Sequence, residues 1–490
     1  MMVLGFACAA PLDARQAAIV GAMARADGPL IRSRPALCAG KYARMARLDV
    51  VGGEGSFDYY RGATPVFRAD ITDARLPIAH TDFPASGPLP FSMGDAHPEN
   101  FGILVASDGT AALEPNDLDA ADRIPYYWDL RRLTVGLVLG TRLSNADNPA
   151  ARAAAVAAQD DVVRAAASAY QAEIHALAMG AAIARVTDDG GSAVIADLFQ
   201  RSRDGAGTTL DELTQLDADG ARAIRRGVLD PTQPEQVFIE LSDDARAALP
   251  AVIETARQQM VSPPDAAFFT VVDAVRELGS GVASWPRVRA IVLVRGPSDS
   301  VDDDVMLEVK ELADSGSPAV YPPFRPADNV AARMQFAESL VWARVDADPF
   351  WAPAPSWLGM PAQVRTETNA HPTLRMHRLH GSLGTPVAIQ DMARVLGRLL
   401  ARVAARGIDG DVGPARAIDV ALSRDPMAFV EGEVVAALDE ADRFEADFEH
   451  FRDALDRVGL TLGVPHDPQD APSPELQALF GTPPTPEPYR

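Results

Sequence analysis

Cysteine and lysine are scarce in this 490-residue sequence, and basic charge is outweighed by acidic charge. The two cysteines, Cys8 and Cys38, cannot form a disulfide framework for so long a chain, which indicates a reducing compartment. The 45 basic residues face 68 acidic ones, and the resulting net charge of −23 argues against a nucleic-acid partner or an anionic membrane surface.

Long apolar segments are also missing from the sequence. No run approaches the roughly 18 apolar residues that a membrane-spanning helix needs. Residues 1–11 lack the basic start and the full hydrophobic core of a signal peptide. We therefore expect a cytoplasmic protein with no membrane span.

The pattern of apolar and turn-forming residues predicts an α+β fold that is mainly helical. The segments "FGILVAS" and "TAALEPND" are typical of two strands joined by an Asp108-Gly109 turn, and residues 266–312 predict a small antiparallel sheet. The segment "LRMHRLH" is a further strand candidate. Helical patterns cover residues 12–48, 128–143, 150–186, 205–262, 329–345, 387–406, 414–423 and 426–458.

Polar side chains are concentrated in "MGDAHPENFG", "EPNDLDAAD" and "YWDLRRL", which all lie between residues 93 and 133. Two of the six asparagines of the chain fall here. A loop with Asp95 and Asn100, followed by Asp117 beyond the hairpin, can bring hard oxygen ligands to one point, as Mg²⁺ prefers. A carboxylate that accepts a hydroxyl proton beside such ligands is typical of phosphoryl transfer. The alternative is a solvated acidic turn.

A second group of residues lies near the predicted sheet. Gly279 and Gly281 occupy a turn between two strand candidates, and Lys310 follows on the strand-like run "VMLEVKEL". A glycine turn over phosphates with a lysine on a later strand is the nucleotide-holding half of a kinase. An ordinary hairpin turn is the alternative, because Ser284 stands where the third glycine would be. Lys310 is one of only two lysines, with Lys41, which favours a specific role for its compact ammonium group.

Two charged residues could assist these groups. Glu338, on the predicted helix after Lys310, is a candidate partner for the lysine, and a solvated glutamate is the alternative. Arg61 in "YYRGA" could hold a phosphate or pair with an acid of the cluster, and a structural ion pair is equally consistent with the sequence.

The order of these parts differs from that of a standard kinase, in which the glycine turn and the lysine precede the catalytic loop. The loop of Asp95 comes first here and Lys310 comes later, so we expect the two lobes to be circularly permuted. A permutation costs little when the termini and the new break lie at the surface.

The motifs "FDYYRGATPVF", "GDAHPENFG", "NDLD", "YWDLRRL" and "VKEL" resemble the uncharacterised bacterial family called domain of unknown function 2252. That family is similar in turn to the superfamily of protein kinases and aminoglycoside phosphotransferases. The resemblance implies Asp95 as catalytic aspartate, Asn100 and Asp117 as metal ligands, and Asp129 as a brace for the loop. His97 matches the second histidine of the phosphotransferase loop, whereas Met93 replaces the first.

The sequence therefore predicts a permuted, kinase-like two-lobe protein that binds ATP and Mg²⁺ and acts on a hydroxyl-bearing small molecule or protein. Asp95 is the predicted catalytic residue, with His97, Asp119, Asp129 and Arg61 in support. Transfer of AMP, or nucleotide binding without catalysis, are the alternatives, and the oligomeric state stays open. The predicted segments are an N-terminal helical segment (1–40), a catalytic-loop region (41–262), a nucleotide-gripping sheet (263–385), C-terminal helices (386–462) and a Pro-rich tail (463–490).

Overall fold

A computed structural model describes residues 11–47, 55–230, 236–316, 324, 326 and 330–466 of the chain. Cys8 and the predicted tail from residue 467 onward lie outside these residues. Cys38 is buried. None of the helices in the described ranges combines the length and the apolarity that crossing a bilayer requires.

Helices make up most of the regular secondary structure of the described residues, which agrees with the predicted α+β, mainly helical class. They are α1 (Ala14–Ser33), α2 (Pro35–Met45), α3 (Ser56–Gly62), α4 (Thr64–Thr72), α5 (Tyr126–Leu143), α6 (Pro149–Ala157), α7 (Gln159–Ala178), α8 (Ala193–Gly205), α9 (Thr209–Leu213), α10 (Asp243–Arg257), α11 (Val330–Val341), α12 (Pro386–Val403), α13 (Gly413–Leu422) and α14 (Pro426–Val458).

The strands of the described residues form one larger sheet and three two-stranded pairs, all antiparallel. They are β1 (Phe91–Ser92), β2 (Phe101–Val105), β3 (Ala111–Pro115), β4 (Asp122–Arg123), β5 (Thr214–Leu216), β6 (Arg222–Ile224), β7 (Gly227–Val228), β8 (Val237–Glu240), β9 (Val271–Leu278), β10 (Arg289–Val294), β11 (Val305–Glu311), β12 (Ala352–Trp357) and β13 (Met360–Thr366). The seven strands of the larger sheet run in the order β12-β13-β11-β10-β9-β8-β7.

The chain divides into two compact units. The first unit comprises Met1–Asp70, Gly279–Pro286 and Asp442–Arg490, and the second comprises Ile71–Leu278 and Arg287–Ala441. The predicted division of the chain into lobes remains a prediction.

An aromatic cluster forms the core of the first unit. The rings of Tyr59 and Phe451 lie 5.2 Å apart, and those of Tyr60 and Phe444 meet edge to face at 5.0 Å. Burial of such large rings is among the strongest stabilising terms available to a small core.

One face of the sheet in the second unit is apolar along its length and packs against α10. Alternate residues of the strands, such as Val292 and Leu307, are fully buried there with Leu249 and Ile253 of the helix. The opposite face buries a second apolar cluster of residues from β9, β10 and β11, and it carries charged side chains at the end of the sheet near Lys310. The period-2 alternation of strands therefore gives two packing faces, one of which ends in a charged cluster.

The predicted hairpin is confirmed as β2 and β3, and its turn follows from the sequence. Gly109 adopts a φ of 81°, which favours glycine, and Asp108 Oδ1 accepts a hydrogen bond from Thr110 N at 2.9 Å. The predicted sheet over residues 266–312 is confirmed as β9, β10 and β11. The helices predicted at 128–143, 387–406, 414–423 and 426–458 are confirmed within a few residues as α5, α12, α13 and α14. The helical region predicted at 150–186 is the pair α6 and α7, which ends eight residues earlier at Ala178.

Two predictions of secondary structure are wrong. The segment "LRMHRLH" contains a 3-10 turn at Met376–Arg378, and the strands that follow α11 are β12 and β13. The sequence did not predict β12 because its segment "APAPSW" contains prolines, which lack an amide donor. Strand β12 lies at the edge of the sheet, where a missing amide donor is tolerated. Residues 205–262, predicted as helical, contain the short strands β5 to β8 as well as helix. The sequence did not reveal these strands because the alternation of apolar and polar residues in them is too short to be distinguished from a helical pattern.

Candidate active site

The loop that carries Asp95 is held by its backbone. It begins after β1, and Gly94 adopts a φ of 75°. A Cβ atom at Gly94 would lie 2.0 Å from the carbonyl oxygen of Ala120, so only glycine fits. Asp129, in the first turn of α5, accepts hydrogen bonds from Met93 N at 2.7 Å and from Gly94 N at 3.0 Å. Asp129 is therefore in contact with the loop, in the position that the resemblance implies.

Asn100 ties the end of this loop to its start and to the next motif. Its Nδ2 donates to the carbonyl oxygen of Asp95 at 2.8 Å, and its own carbonyl oxygen accepts from Asn116 N at 3.1 Å. The amide oxygen of Asn100 has no hydrogen-bond partner in the described part of the chain. Asp117 follows Asn116 directly, so a free amide oxygen and a carboxylate belong to adjoining segments.

Lys310 joins the two halves of the predicted site. Its Nζ lies 2.5 Å from Asp119 Oδ2 and 3.7 Å from Asp117 Oδ2, although nearly 200 residues separate them in sequence. A separation far above a helix diameter, about 10–12 Å, would have excluded a common site. The lysine side chain is only 3 % exposed, so the ion pair is shielded on the lysine side.

The two aspartates differ in their electrostatics. Burial, followed by the neighbouring carboxylate of Asp119, raises the pKa of Asp117 above its usual range, although the side chain is 38 % exposed. Burial also acts to raise the pKa of Asp119, but Lys310 outweighs it, so that this pKa is lowered. One ammonium group thus compensates Asp119 well and Asp117 poorly, which leaves room for a further cation at Asp117.

Arg132 is a site residue that the sequence prediction missed. Its Nε donates to Asp95 Oδ1 at 2.6 Å, and its side chain is 1 % exposed. Arg132 lies three residues after Asp129 on α5, so that both face the same loop. The sequence signal that could have identified Arg132 is the pair of arginines in "YWDLRRL", a motif close in sequence to the loop of Asp95.

Arg333 was also missed. This fully buried side chain of α11 donates to the carbonyl oxygens of Ala121 and Asp119 at 2.6 and 2.9 Å, and to that of Ala313 at 2.7 Å. It fixes the backbone of the segment that contains Asp119. A single arginine in the apolar run "VAARMQF" was the signal.

The sheet face around Lys310 carries a buried charge network. Glu308 lies two residues before Lys310 on the same face, and Arg289 lies opposite Lys310 on β10. Glu308 pairs with Arg289 at 2.9 Å and with Arg365 of β13 at 2.8 Å. Burial acts to raise the pKa of Glu308, but Arg289, Arg365 and Lys310 lower it to about 2.

The expected pair of Lys310 with Glu338 is absent, which corrects that prediction. Among the described residues Lys310 pairs with Asp119 and Asp117. Glu338 is buried on α11, where burial, followed by Asp348 and Asp346, raises its pKa to about 9. A carboxyl group whose pKa is raised in this way favours its neutral form, which removes its attraction for an ammonium group. A role of Glu338 toward a nucleotide stays a prediction.

The remaining candidates have varied surroundings. His97 is buried at the start of the 3-10 turn Pro98–Asn100. Gly279 and Gly281 lie between β9 and β10 with φ of 81° and 75°, and their role over phosphates stays a prediction. In the first unit, Arg61 pairs with Asp58 at 3.3 Å, which agrees with the structural alternative.

The described residues contain no group of three or more His, Cys, Asp or Glu side chains arranged to hold a metal ion. The oxygen ligands at hand are Asp117, Asp119 and the amide oxygen of Asn100. Such a set does not enclose an ion by itself. It fits Mg²⁺, which commonly takes one or two carboxylates and completes its shell with water and substrate phosphates.

These features define the class of the protein: an α+β chain in which a lysine of an antiparallel sheet meets the aspartates that follow a β-hairpin. The chain belongs to the family described as uncharacterized protein conserved in bacteria (DUF2252), whose family model matches residues 32–454. No curated protein and no solved structure matches the chain.

Proposed function

We propose that the protein is a Mg²⁺-dependent phosphotransferase that moves the γ-phosphoryl group of ATP to a hydroxyl group of a small molecule or a protein. The observation that carries the proposal is the contact of Lys310 with Asp119 and Asp117. The residue proposed to contact phosphate and an aspartate proposed to hold metal are far apart in the chain, and their contact supports the proposal.

The order of elements around Lys310 supports a kinase-like, circularly permuted arrangement. Strands β9, β10 and β11 form a meander with Lys310 on the third strand, and α11 with Glu338 follows. The lysine strand and the following acidic helix of protein kinases have the same order. The loop of Asp95, which comes after these elements in a kinase, precedes them here.

Each residue has a role in the proposed reaction. The substrate hydroxyl oxygen forms a bond to the γ-phosphorus, the bond from that phosphorus to the bridging oxygen breaks, and ADP leaves. Asp95 accepts the hydroxyl proton, while Arg132 keeps its carboxylate in one orientation. Lys310 exchanges its contact with Asp119 for phosphate oxygens. Asn100 and Asp117 would hold Mg²⁺, which neutralises charge on the phosphates when bound.

The test measures slow transfer to water, which needs no knowledge of the acceptor. Purified protein is incubated with γ-labelled ATP and Mg²⁺, and the release of labelled phosphate is followed. We expect Mg²⁺-dependent release that falls at least tenfold in Asp95→Asn and in Asp117→Asn. Release that is absent from the folded wild-type protein, or unchanged in both variants, would contradict the proposal.

Transfer of AMP is a second candidate, and the charged sheet face favours it. Arg289 and Arg365 flank Lys310 on the same face and could hold the outer phosphates of ATP, which would place the α-phosphorus near Asp117. The hydroxyl oxygen would then bond to the α-phosphorus, and pyrophosphate would leave. Labelled pyrophosphate from γ-labelled ATP, together with labelled AMP from α-labelled ATP, would identify this reaction. Binding of MgATP with no release of either label would identify a catalytically inactive module.

A further inference from the structure

A basic cavity lies in the second unit, between α12 and the segment after α7. Its volume is about 150 Å³. Because one water occupies roughly 30 Å³ in the liquid, a group of about five heavy atoms fits. The cavity is lined by Arg185, Val186, Thr187, Asp188, Val395, Arg398 and Arg402. Three guanidinium groups therefore meet in one concave site of a strongly acidic protein.

Two of these arginines are fixed by the fold. Arg185 Nε donates to Glu114 at 3.0 Å, and its two terminal nitrogens donate to the carbonyl oxygens of Thr110 and Leu104. Arg402 Nε donates to Glu173 at 2.7 Å, and Nη1 donates to the carbonyl oxygen of Ala184 at 2.9 Å. Their positions are set before any ligand arrives, which lowers the entropy cost of binding.

The third arginine has no such partner within the part of the chain that the structure describes. Arg398 makes no hydrogen bond or ion pair with any residue in the ranges that the structure describes, although its side chain is partly buried. It lies four residues before Arg402 and three after Val395, so these side chains share one face of α12. A half-buried guanidinium without a hydrogen-bond or ion-pair partner among the described residues is a ready donor for an anion.

The turn opposite Arg398 is shaped to admit it. Gly190 adopts a φ of 57°, and a Cβ atom there would lie 2.6 Å from Arg398 Nη2. The carboxylate of Asp188, which lines the cavity, already accepts a hydrogen bond from Gly190 N at 2.9 Å. Glycine thus allows the loop to close on the guanidinium.

We infer that this cavity binds a phosphate-type oxyanion, as free phosphate or as the phosphate of a small monoester. The guanidinium of Arg398 would bind two of its oxygens side by side, and the free nitrogen of Arg402 would contact another. The inference is independent of the proposed phosphotransfer, because none of these residues belongs to the cluster around Lys310.

The test is calorimetric titration at constant ionic strength with inorganic phosphate, with glycerol 3-phosphate and with acetate. We expect the wild type to bind phosphate saturably and to show no comparable binding of acetate. In Arg398→Ala and Arg398→Gln we expect the loss of one binding equivalent of phosphate, or at least a tenfold weaker affinity for it. Arg394→Ala is the matched control, since Arg394 lies one turn earlier on α12 and pairs with Asp391. We expect it to bind phosphate as the wild type does.

Three results would overturn the inference: no phosphate binding by the wild type, equal binding by the Arg398 variants, or an equal loss in Arg394→Ala. Equal affinities for inorganic phosphate and the ester would assign the site to free phosphate. Tighter binding of the ester would assign it to an esterified ligand. Because the titration contains neither ATP nor Mg²⁺, its failure is distinguishable from a failure of the proposed phosphotransfer.

Discussion

Lys310 has two acidic neighbours, and they differ in how much they depend on it. Asp119 lies closer and has a lowered pKa, whereas Asp117 is more exposed and has a raised pKa. Neutralising Asp119 removes the main compensation of a buried ammonium group. Neutralising Asp117 removes a charge that the fold compensates poorly.

We therefore expect Asp119→Asn to lower the free energy of unfolding by about 2–4 kcal/mol. Asp117→Asn serves as its matched control and should change it by less than about 1 kcal/mol. Urea unfolding at pH 7 measures both values. Equal losses in the two variants would show that Lys310 does not depend specifically on Asp119.

Glu338 should make stability depend on pH. Its folded-state pKa of about 9 lies above its ordinary value of 4.5. The contribution of its protonated form to the free energy of unfolding is therefore fully present below pH 4.5 and is lost as the pH rises toward 9. Glu338→Gln resembles the protonated form and lacks this loss. We expect the variant to gain stability relative to the wild type as the pH rises, by up to about 3 kcal/mol between pH 4.5 and 7.

Urea unfolding of both proteins across this pH range checks that expectation. Curves that stay parallel from pH 4.5 to 7 would show that Glu338 is ionised in the folded protein.

At the scale of elements, α11 supports the site through Arg333. Removing a fully buried guanidinium leaves the carbonyl oxygens of Ala121, Asp119 and Ala313 without this donor. We expect Arg333→Met to lower the free energy of unfolding by about 2–4 kcal/mol and to weaken MgATP binding. Gln335→Ala is the control, because Gln335 is exposed on the same helix. Its effect on stability should stay within about 0.5 kcal/mol. A similar loss in both variants would contradict the role of Arg333.

The elements also show how far a sequence reading extends. The β2–β3 hairpin follows from Asp108-Gly109 between two apolar runs, and α5 follows from its helical spacing, because both signals are local. Strand β12 could not be predicted, since its prolines are acceptable only at a sheet edge, and edge position is a tertiary property. The contact of Arg132 with Asp95 could not be predicted either, because it too depends on tertiary structure. The proximity of Lys310 and Asp117 was predicted, because phosphoryl transfer requires a lysine and a metal-binding aspartate in one site.

At the scale of the whole molecule, the net charge of −23 opposes the binding of a nucleotide, which is itself an anion. Lys310 is already engaged by Asp119, and Arg289 and Arg365 by Glu308. These basic groups must exchange their acidic partners for phosphate oxygens when a nucleotide binds, so a divalent cation is expected to supply much of the charge compensation. ATP binding should accordingly depend on Mg²⁺ far more than on any single side chain.

The most direct test is calorimetric titration of the full chain with ATP, with and without Mg²⁺, using the wild type and Asp117→Asn. We expect the wild type to bind ATP at least tenfold more tightly with Mg²⁺ than with a chelator. We expect Asp117→Asn to lose that difference while it unfolds like the wild type. ATP binding that is undetectable in the folded wild type, or identical with and without Mg²⁺, would contradict the assignment of the Lys310 and Asp117 cluster as a nucleotide and metal site.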